Sequence, residues 1–231
     1  MNSIKATAHQ AGVLYFLFMI VAIFGEFFSP TFMVPGDATA TARNITAAES
    51  AYRLGILTGF VTLLVFIFLV ERLYKLFRHV DRGQALLMVL LVIVGVCVAL
   101  ANMLNKFAPL VLLSGAEYLS VFTKPQLDAL ALGFLGLHRG GAIVATAFWG
   151  LWLFPFGVLV IRSGFLPRVL GMLLLVAGVA YMISSITSLV LPDHRQVVSR
   201  IMMPLYFAEV PIIFWMMIKG ARVPQTQAHV R

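Results

Sequence analysis

The chain has 231 residues, of which 61% are hydrophobic and 11% are charged, and its mean hydropathy is +0.98. A soluble domain has about 45–50% apolar and about 25% charged residues, so this chain has too few polar groups to cover a surface in water. This composition indicates an integral membrane protein. The net charge of +8 could point to a nucleic-acid partner in a soluble protein. Here the Lys and Arg residues flank apolar runs, so membrane orientation and lipid headgroups explain the charge and no nucleic-acid partner is predicted.

Apolar runs of the roughly 20 residues that cross a bilayer occur six times along the chain. The first run resembles a signal peptide, but Glu26 and two Phe residues stand where a cleavage site needs small residues, so it is predicted to be a retained helix. We predict an all-α integral membrane protein, a single domain over residues 1–231, with spans at about 11–28, 52–71, 84–104, 140–161, 168–190 and 200–219.

Two stretches between the spans need their own interpretation. Residues 29–50 are polar and rich in turn formers, which predicts an extracytoplasmic loop. Residues 105–138 hold "KFAPLVLLSGAEYLS", too short to span, and "KPQLDALALGFLGLH", with apolar residues at helical spacing. We predict two short helices there, interfacial or re-entrant, between spans three and four.

The turn "RSGFLPRVLG" predicts a tight antiparallel hairpin of spans four and five, because Gly164 permits a sharp bend and Pro167 suits a helix start. With the N-terminus inside, ten Lys and Arg are cytoplasmic and five are outside, with Arg53 and Arg139 at helix ends. This bias predicts that both termini are cytoplasmic. If residues 107–138 crossed the membrane, the bias would fall to about eight against seven.

Several segments resemble a known family. The stretches "VPGDATATARNI", "RLGI", "LLSGAEYLSVFTKPQLDALALGFLGLH" and "RSGFLPRVLGMLLLVAGVAYMI" are similar to bacterial membrane proteins grouped as domain of unknown function 4386. The resemblance implies a multi-helix bacterial inner-membrane protein and supplies no activity. It also implies family counterparts of His138 and Glu209, and often an acid in the second helix, where this chain has Thr58 and Thr62.

Polar side chains within the predicted spans concentrate in the outer halves, which suggests an outward-facing polar pocket between helices. Glu209 lies about nine residues into span six, roughly 13 Å deep at about 1.5 Å per residue, where a charge is costly. Pro204 and Pro211 on either side of it free backbone carbonyls in that helix. The predicted ligand-binding residues are Glu209, His138, Arg139, Glu26, Asn102, Tyr206, Ser184 and Ser185.

Several candidates also have a structural interpretation, and for Glu209 it is a structural pair or a neutral, hydrogen-bonded acid. His138, Arg139 and Glu26 suit interfacial anchors, and the serines suit helix packing. Motifs such as HExxH, GxSxG, Walker A and CxxC are missing from the sequence, and Cys97 stands alone. No cofactor is predicted. A zinc site would need His138 and His194 with carboxylates from Glu26, Asp193 or Glu209, and the spacing does not support it.

The leading functional hypothesis is binding or passage of a small or lipid-like molecule, with membrane lipids as the surrounding partners. One alternative is an intramembrane enzyme, such as a metal-dependent hydrolase, that uses Glu209 and His138 as an acid/base pair. Another is a non-catalytic accessory membrane protein whose polar groups only hold helices together. The sequence does not decide the oligomeric state.

Overall fold

The computed structural model describes residues 3–28 and 32–221, and for residues 3 and 26–28 it describes the backbone alone. The described chain is all-helical, without a β-strand. Its α-helices are α1 (Ser3–Phe28), α2 (Ala38–Ala47), α3 (Glu49–Phe77), α4 (Arg82–Leu112), α5 (Lys124–Leu151), α6 (Leu153–Ser163), α7 (Arg168–Val190), α8 (Arg195–Tyr206) and α9 (Val210–Ile218). Short 3₁₀ turns lie at Glu117–Leu119, Pro192–His194 and Phe207–Glu209.

Six helical stretches are long and apolar enough to cross a membrane, which confirms the predicted number of spans. Large apolar side chains stand on their outer surfaces, including Phe68 at 61% exposure, as expected where lipid is the solvent. The protein is therefore a multi-pass membrane protein. The six stretches are Ile4–Gly25, Glu49–Phe77, Arg82–Leu112, Lys124–Ser163, Arg168–Val190 and Pro192–Ile218.

The two separate short helices predicted over residues 107–138 are not confirmed. Residues 107–112 are the last turns of α4, which continues through Pro109, and residues 124–138 are the first half of α5. Proline is tolerated in membrane helices when neighbouring groups satisfy the freed carbonyl. At Trp152 the backbone N–H still bonds the Phe148 carbonyl at 3.2 Å, so α5 and α6 form one continuous span.

Residues 29–50 are predicted to form a loop, and the structure describes them from residue 32 onward. This described part contains helix α2. Asp37 caps it, since its Oδ1 accepts the Ala40 N–H at 2.8 Å. An N-cap aspartate satisfies a backbone donor that the first helical turn leaves without a partner. The buried Thr41 hydroxyl donates to the Asp37 carbonyl at 2.8 Å, which ties the helix to its preceding turn.

The chain divides into two compact units. The first comprises Met1–Phe18, Val65–Val96 and Ala145–Arg231, and the second comprises Met19–Leu64 and Cys97–Val144. The prediction of a single domain over residues 1–231 stays a prediction.

In the first unit, α6 and α7 form the predicted tight hairpin. Gly164 ends α6 with a φ of 69°, a left-handed conformation that favours glycine. The helix backbones then pack directly on each other, because a Cβ atom at Gly171 would lie 2.6 Å from the Gly157 carbonyl oxygen. Close backbone contact at small residues is a common way for membrane helices to associate.

Each unit has its own aromatic core. In the first unit, the Trp152 ring stacks on Phe156 with ring centroids 5.2 Å apart, and Tyr15 and Phe66 pack against the same pair. In the second unit, the Phe32 ring meets Tyr52 edge-on at 5.3 Å. That second core is completed by Ile45, Ile56 and Leu135.

Candidate functional site

The last membrane span is broken at Glu209. Helix α8 ends at Tyr206, residues Phe207–Glu209 form a 3₁₀ turn, and α9 begins at Val210. Pro211 is the cause, because it has no N–H to donate to the Phe207 carbonyl four residues earlier. The Val210 N–H donates to that carbonyl instead, which produces the tighter 3₁₀ geometry. The predicted effect of proline on this span is therefore visible in the backbone.

The Glu209 carboxyl group is held by tyrosines from two other helices of the first unit. The Tyr15 hydroxyl of α1 donates to Oε2 at 2.5 Å, and Tyr15 is 1% exposed. The Tyr181 hydroxyl of α7 is also hydrogen-bonded to this carboxyl group. Hydrogen bonds from two hydroxyl groups satisfy polar atoms of the acid and so offset part of the cost of placing it inside a span.

A second pair of side chains lies beside this cluster. The Tyr181 and Tyr206 rings stack with centroids 4.5 Å apart, and the Tyr206 hydroxyl is hydrogen-bonded to Ser184. Ser185, the next residue on α7, is 2% exposed. We call Glu209, Tyr15, Tyr181, Tyr206 and Ser184 the Glu209 cluster, and it includes three of the predicted site residues.

Asn102 and His138 meet in the second unit. The Asn102 side-chain nitrogen donates to the His138 carbonyl at 2.9 Å, and His138 Nδ1 lies 3.2 Å from the Asn102 carbonyl oxygen. Asn105 donates to Asn102 Oδ1 at 3.0 Å. This reciprocal contact, the Asn102–His138 latch, joins α4 to α5. Gly141 lies directly against the Asn102 side chain, and a Cβ atom at Gly141 would overlap the Asn102 amide group.

The other predicted site residues have separate surroundings. The exposed Arg139 guanidinium lies 3.0 Å from the Met33 sulfur in the second unit. Glu26 lies near the end of α1, and its side chain is outside the described part. The prediction that all eight residues line one outward-facing pocket stays a prediction, because Glu209 belongs to the first unit and His138 to the second.

The metal hypothesis gains no support. Among the described residues, no group of three or more His, Cys, Asp or Glu side chains is placed to hold a metal ion. His194 and Asp193 lie on the exposed 3₁₀ turn before α8.

Sequence reasoning missed three informative residues. Tyr15 is an isolated polar side chain within the apolar run "GVLYFLFMIVAIF", and this isolation is a signal that the sequence carries. Tyr181 lies on a different helix from Glu209, and contacts between helices do not follow from spacing along the chain. Asp128 is 2% exposed and accepts bonds from Lys124 at 3.0 and 3.1 Å, and its i,i+4 spacing predicts this ion pair.

The helices and the Glu209 cluster define a multi-pass helical membrane protein with an acidic side chain inside one of its spans. The chain belongs to the family described as domain of unknown function (DUF4386), which matches residues 10–220 and confirms the resemblance. An uncharacterized protein of Archaeoglobus fulgidus is 33% identical over 78 residues, 34% of this chain and 45% of that protein. The chain thus spans less than half of that relative. No solved structure matches the chain.

Proposed function

We propose that the protein binds or passes a small or lipid-like molecule at a polar, outward-facing pocket that contains the Glu209 carboxyl group. The observation that carries this proposal is an acid inside a membrane span, at a break in its helix, with tyrosine hydroxyls from α1 and α7 directed at it. Ionisable residues within spans are rare, and they commonly mark ligand or ion pathways.

The hydrogen-bonding capacity of the cluster indicates which ligand it suits. An ionised carboxyl group has about four acceptor sites on its two oxygens. Tyr15 and Tyr181 use part of this capacity. The remaining acceptor sites suit a ligand that carries hydroxyl, amine or ammonium groups.

For the cellular setting we propose a bacterial inner membrane with both termini in the cytoplasm. The support is the excess of Lys and Arg on one side of the six spans, together with the number of spans, which is even. Arg222 and Arg231, which contribute to that excess, lie outside the described residues. Membrane lipids are the proposed partners, and neither nucleic acid nor a cofactor is part of the proposal.

A second candidate is a non-catalytic accessory role, and the Asn102–His138 latch favours it. The Asn102 side chain bonds the His138 backbone carbonyl, and the His138 side chain bonds the Asn102 backbone carbonyl. Polar residues commonly hold membrane helices together through hydrogen bonds between helices. If the hydrogen bonds of the Glu209 cluster only hold α1, α7 and the last span together, the cluster needs no ligand.

The test is native mass spectrometry of the protein purified in mild detergent, with elemental analysis alongside. Wild type is compared with Glu209→Gln, which keeps the shape of the side chain and removes its charge. Glu117→Gln is the matched control, because Glu117 lies exposed in a 3₁₀ turn between spans. We expect a co-purified small molecule or lipid that is lost from Glu209→Gln and retained by the control.

The opposite result is equally informative. A wild-type protein that carries no such molecule, with Glu209→Gln as stable as wild type, contradicts the proposal and favours the accessory role. A stoichiometric metal that disappears with Glu209→Gln would instead support the intramembrane enzyme.

A further inference from the structure

An apolar groove runs between α3 and α4 in the second unit. Its volume is about 430 Å³, within the range of about 300–1,000 Å³ that is typical of ligand pockets. Ile56 at its floor is 5% exposed, whereas Leu104 on its wall is 69% exposed, so the groove opens to the outside of the unit. The α3–α4 groove is lined by Arg53 and by apolar side chains that include Ile56, Phe60, Leu104 and Phe107.

One end of the groove is charged and the other is apolar. Arg53 and Phe107 lie at the first end, where the Tyr52 hydroxyl donates to the Lys106 carbonyl at 2.8 Å and fixes the two helices together. Phe60 lies seven residues further along α3, about 10 Å at about 1.5 Å per residue. Because Arg53 is in the second turn of the span Glu49–Phe77, the groove extends from the end of that span toward its middle.

The Arg53 guanidinium has capacity for an anion. Its Nε donates to Glu49 at 2.7 Å, and within the described chain its two terminal nitrogens have no partner. The ion pair itself is weak, because both side chains are at least half exposed. Guanidinium groups match the geometry of phosphate oxygens, with which they form two parallel hydrogen bonds.

We propose that the α3–α4 groove binds a phospholipid with a net negative headgroup. The phosphate lies at Arg53, and one acyl chain lies along the groove between Phe107 and Phe60. Charge complementarity selects the anionic headgroup, and the groove's course from span end to span middle matches the direction of a lipid in a bilayer. The site is independent of the Glu209 cluster, and its test does not depend on the proposed function.

The experiment counts lipids bound to the full-length protein by native mass spectrometry. The protein is titrated in detergent with phosphatidylglycerol or phosphatidylcholine that carry the same acyl chains, so only the headgroup charge differs. Wild type is expected to bind phosphatidylglycerol more tightly. Arg53→Gln should lower this preference about fivefold, the effect of about one basic residue near an anionic membrane surface. Arg43→Gln, which removes an exposed arginine of α2, should leave it unchanged.

Two further variants separate the headgroup contact from the groove. Glu49→Gln breaks the same ion pair as Arg53→Gln but removes the negative partner, so the preference for phosphatidylglycerol should rise. Leu104→Trp fills the groove from an exposed position that folding tolerates, and it should weaken both lipids alike.

The proposal is overturned if Arg53→Gln and Arg43→Gln reduce the preference equally, because that is general surface charge. It is also overturned if Leu104→Trp binds both lipids like wild type, or if Glu49→Gln and Arg53→Gln shift the preference in the same direction. Thermal unfolding of each variant in detergent confirms that it is folded before lipids are added.

Discussion

In the first compact unit the Glu209 carboxyl group bonds the hydroxyls of other side chains, whereas in the second unit the Asn102 and His138 side chains bond backbone carbonyls. Tyr15 and Tyr181 point at the Glu209 carboxyl group, so that group is the centre of the first arrangement. Asn102 and His138 each use the main chain of the other. A side chain that bonds a carbonyl fixes two helices, while a carboxyl that collects hydroxyls retains acceptor sites. Polar residues in spans must therefore be judged by the groups they bond.

The largest effect is expected at Gly141. In Gly141→Ala the new methyl group overlaps the Asn102 amide, which must rotate away and lose its bond to the His138 carbonyl. We expect a loss of about 1–3 kcal/mol in the free energy of unfolding, the cost of an unsatisfied buried polar group. Reversible unfolding in mixed detergent measures it.

Gly140→Ala is the matched control, because a Cβ there has nothing within 4 Å. Alanine is favoured over glycine in a helix, so this variant should be as stable as wild type or gain up to about 1 kcal/mol. Equal effects at the two glycines would show that the Asn102–His138 latch does not hold α4 to α5.

A smaller effect is expected at Tyr15. Tyr15→Phe keeps the ring in the core of the first unit and removes one hydrogen bond to Glu209. We expect a loss of about 0.6 kcal/mol, the average for a hydrogen bond between membrane helices. Tyr118→Phe, at a tyrosine that is 66% exposed, should be neutral in the same unfolding assay. If Tyr15→Phe also abolishes the co-purified molecule, the hydroxyl takes part in binding.

The smallest effect concerns the ion pair between Asp81, in the turn between α3 and α4, and Arg162 in the last turn of α6. Asp81 Oδ2 accepts from Arg162 at 2.6 Å, and its Oδ1 accepts the Gln84 N–H at 3.0 Å. The Gln84 hydrogen bond, then the charge of Arg162, hold the pKa of Asp81 below its usual value in the folded state. The stabilisation is therefore present above the ordinary aspartate pKa and is lost as pH falls through the lowered one.

Asp81→Asn tests this sign. Its thermal midpoint should lie slightly below that of wild type at pH 7, and the difference should shrink as the pH falls below about 4. Asp193→Asn, at an exposed aspartate before α8, is the control. A difference that grows on acidification would contradict the assignment.

The six spans could be predicted because apolar length is a direct requirement of the bilayer. The helices within residues 29–50 and 107–138 could not be predicted in the same way, because composition does not determine where a helix begins or whether it continues through a proline. Asp37 acts as an N-cap for α2, a signal present in "GDATATAR" that the abundance of turn formers outweighed. The apolar stretch after Lys106 is too short to span by itself, but α4 continues into it through Pro109.

For the site, sequence identified Glu209 and the effect of Pro211, because both are exceptional within an apolar run. It did not identify Tyr15 as a partner, since that contact joins residues 194 positions apart and depends on how α1 packs. It also grouped His138 and Glu209 by predicted depth alone. Depth in the membrane is readable from a sequence, whereas lateral neighbours are not.

The break at Glu209 has a consequence for local unfolding. No residue of α8 is buried, whereas α9 buries Ile212, Ile213 and Met216. Because the 3₁₀ turn interrupts the ladder of helical hydrogen bonds between them, the two halves of the last span need not open together. In detergent, the amides of α8 should exchange with deuterium well before those of α9, so that one span comprises two units of different protection.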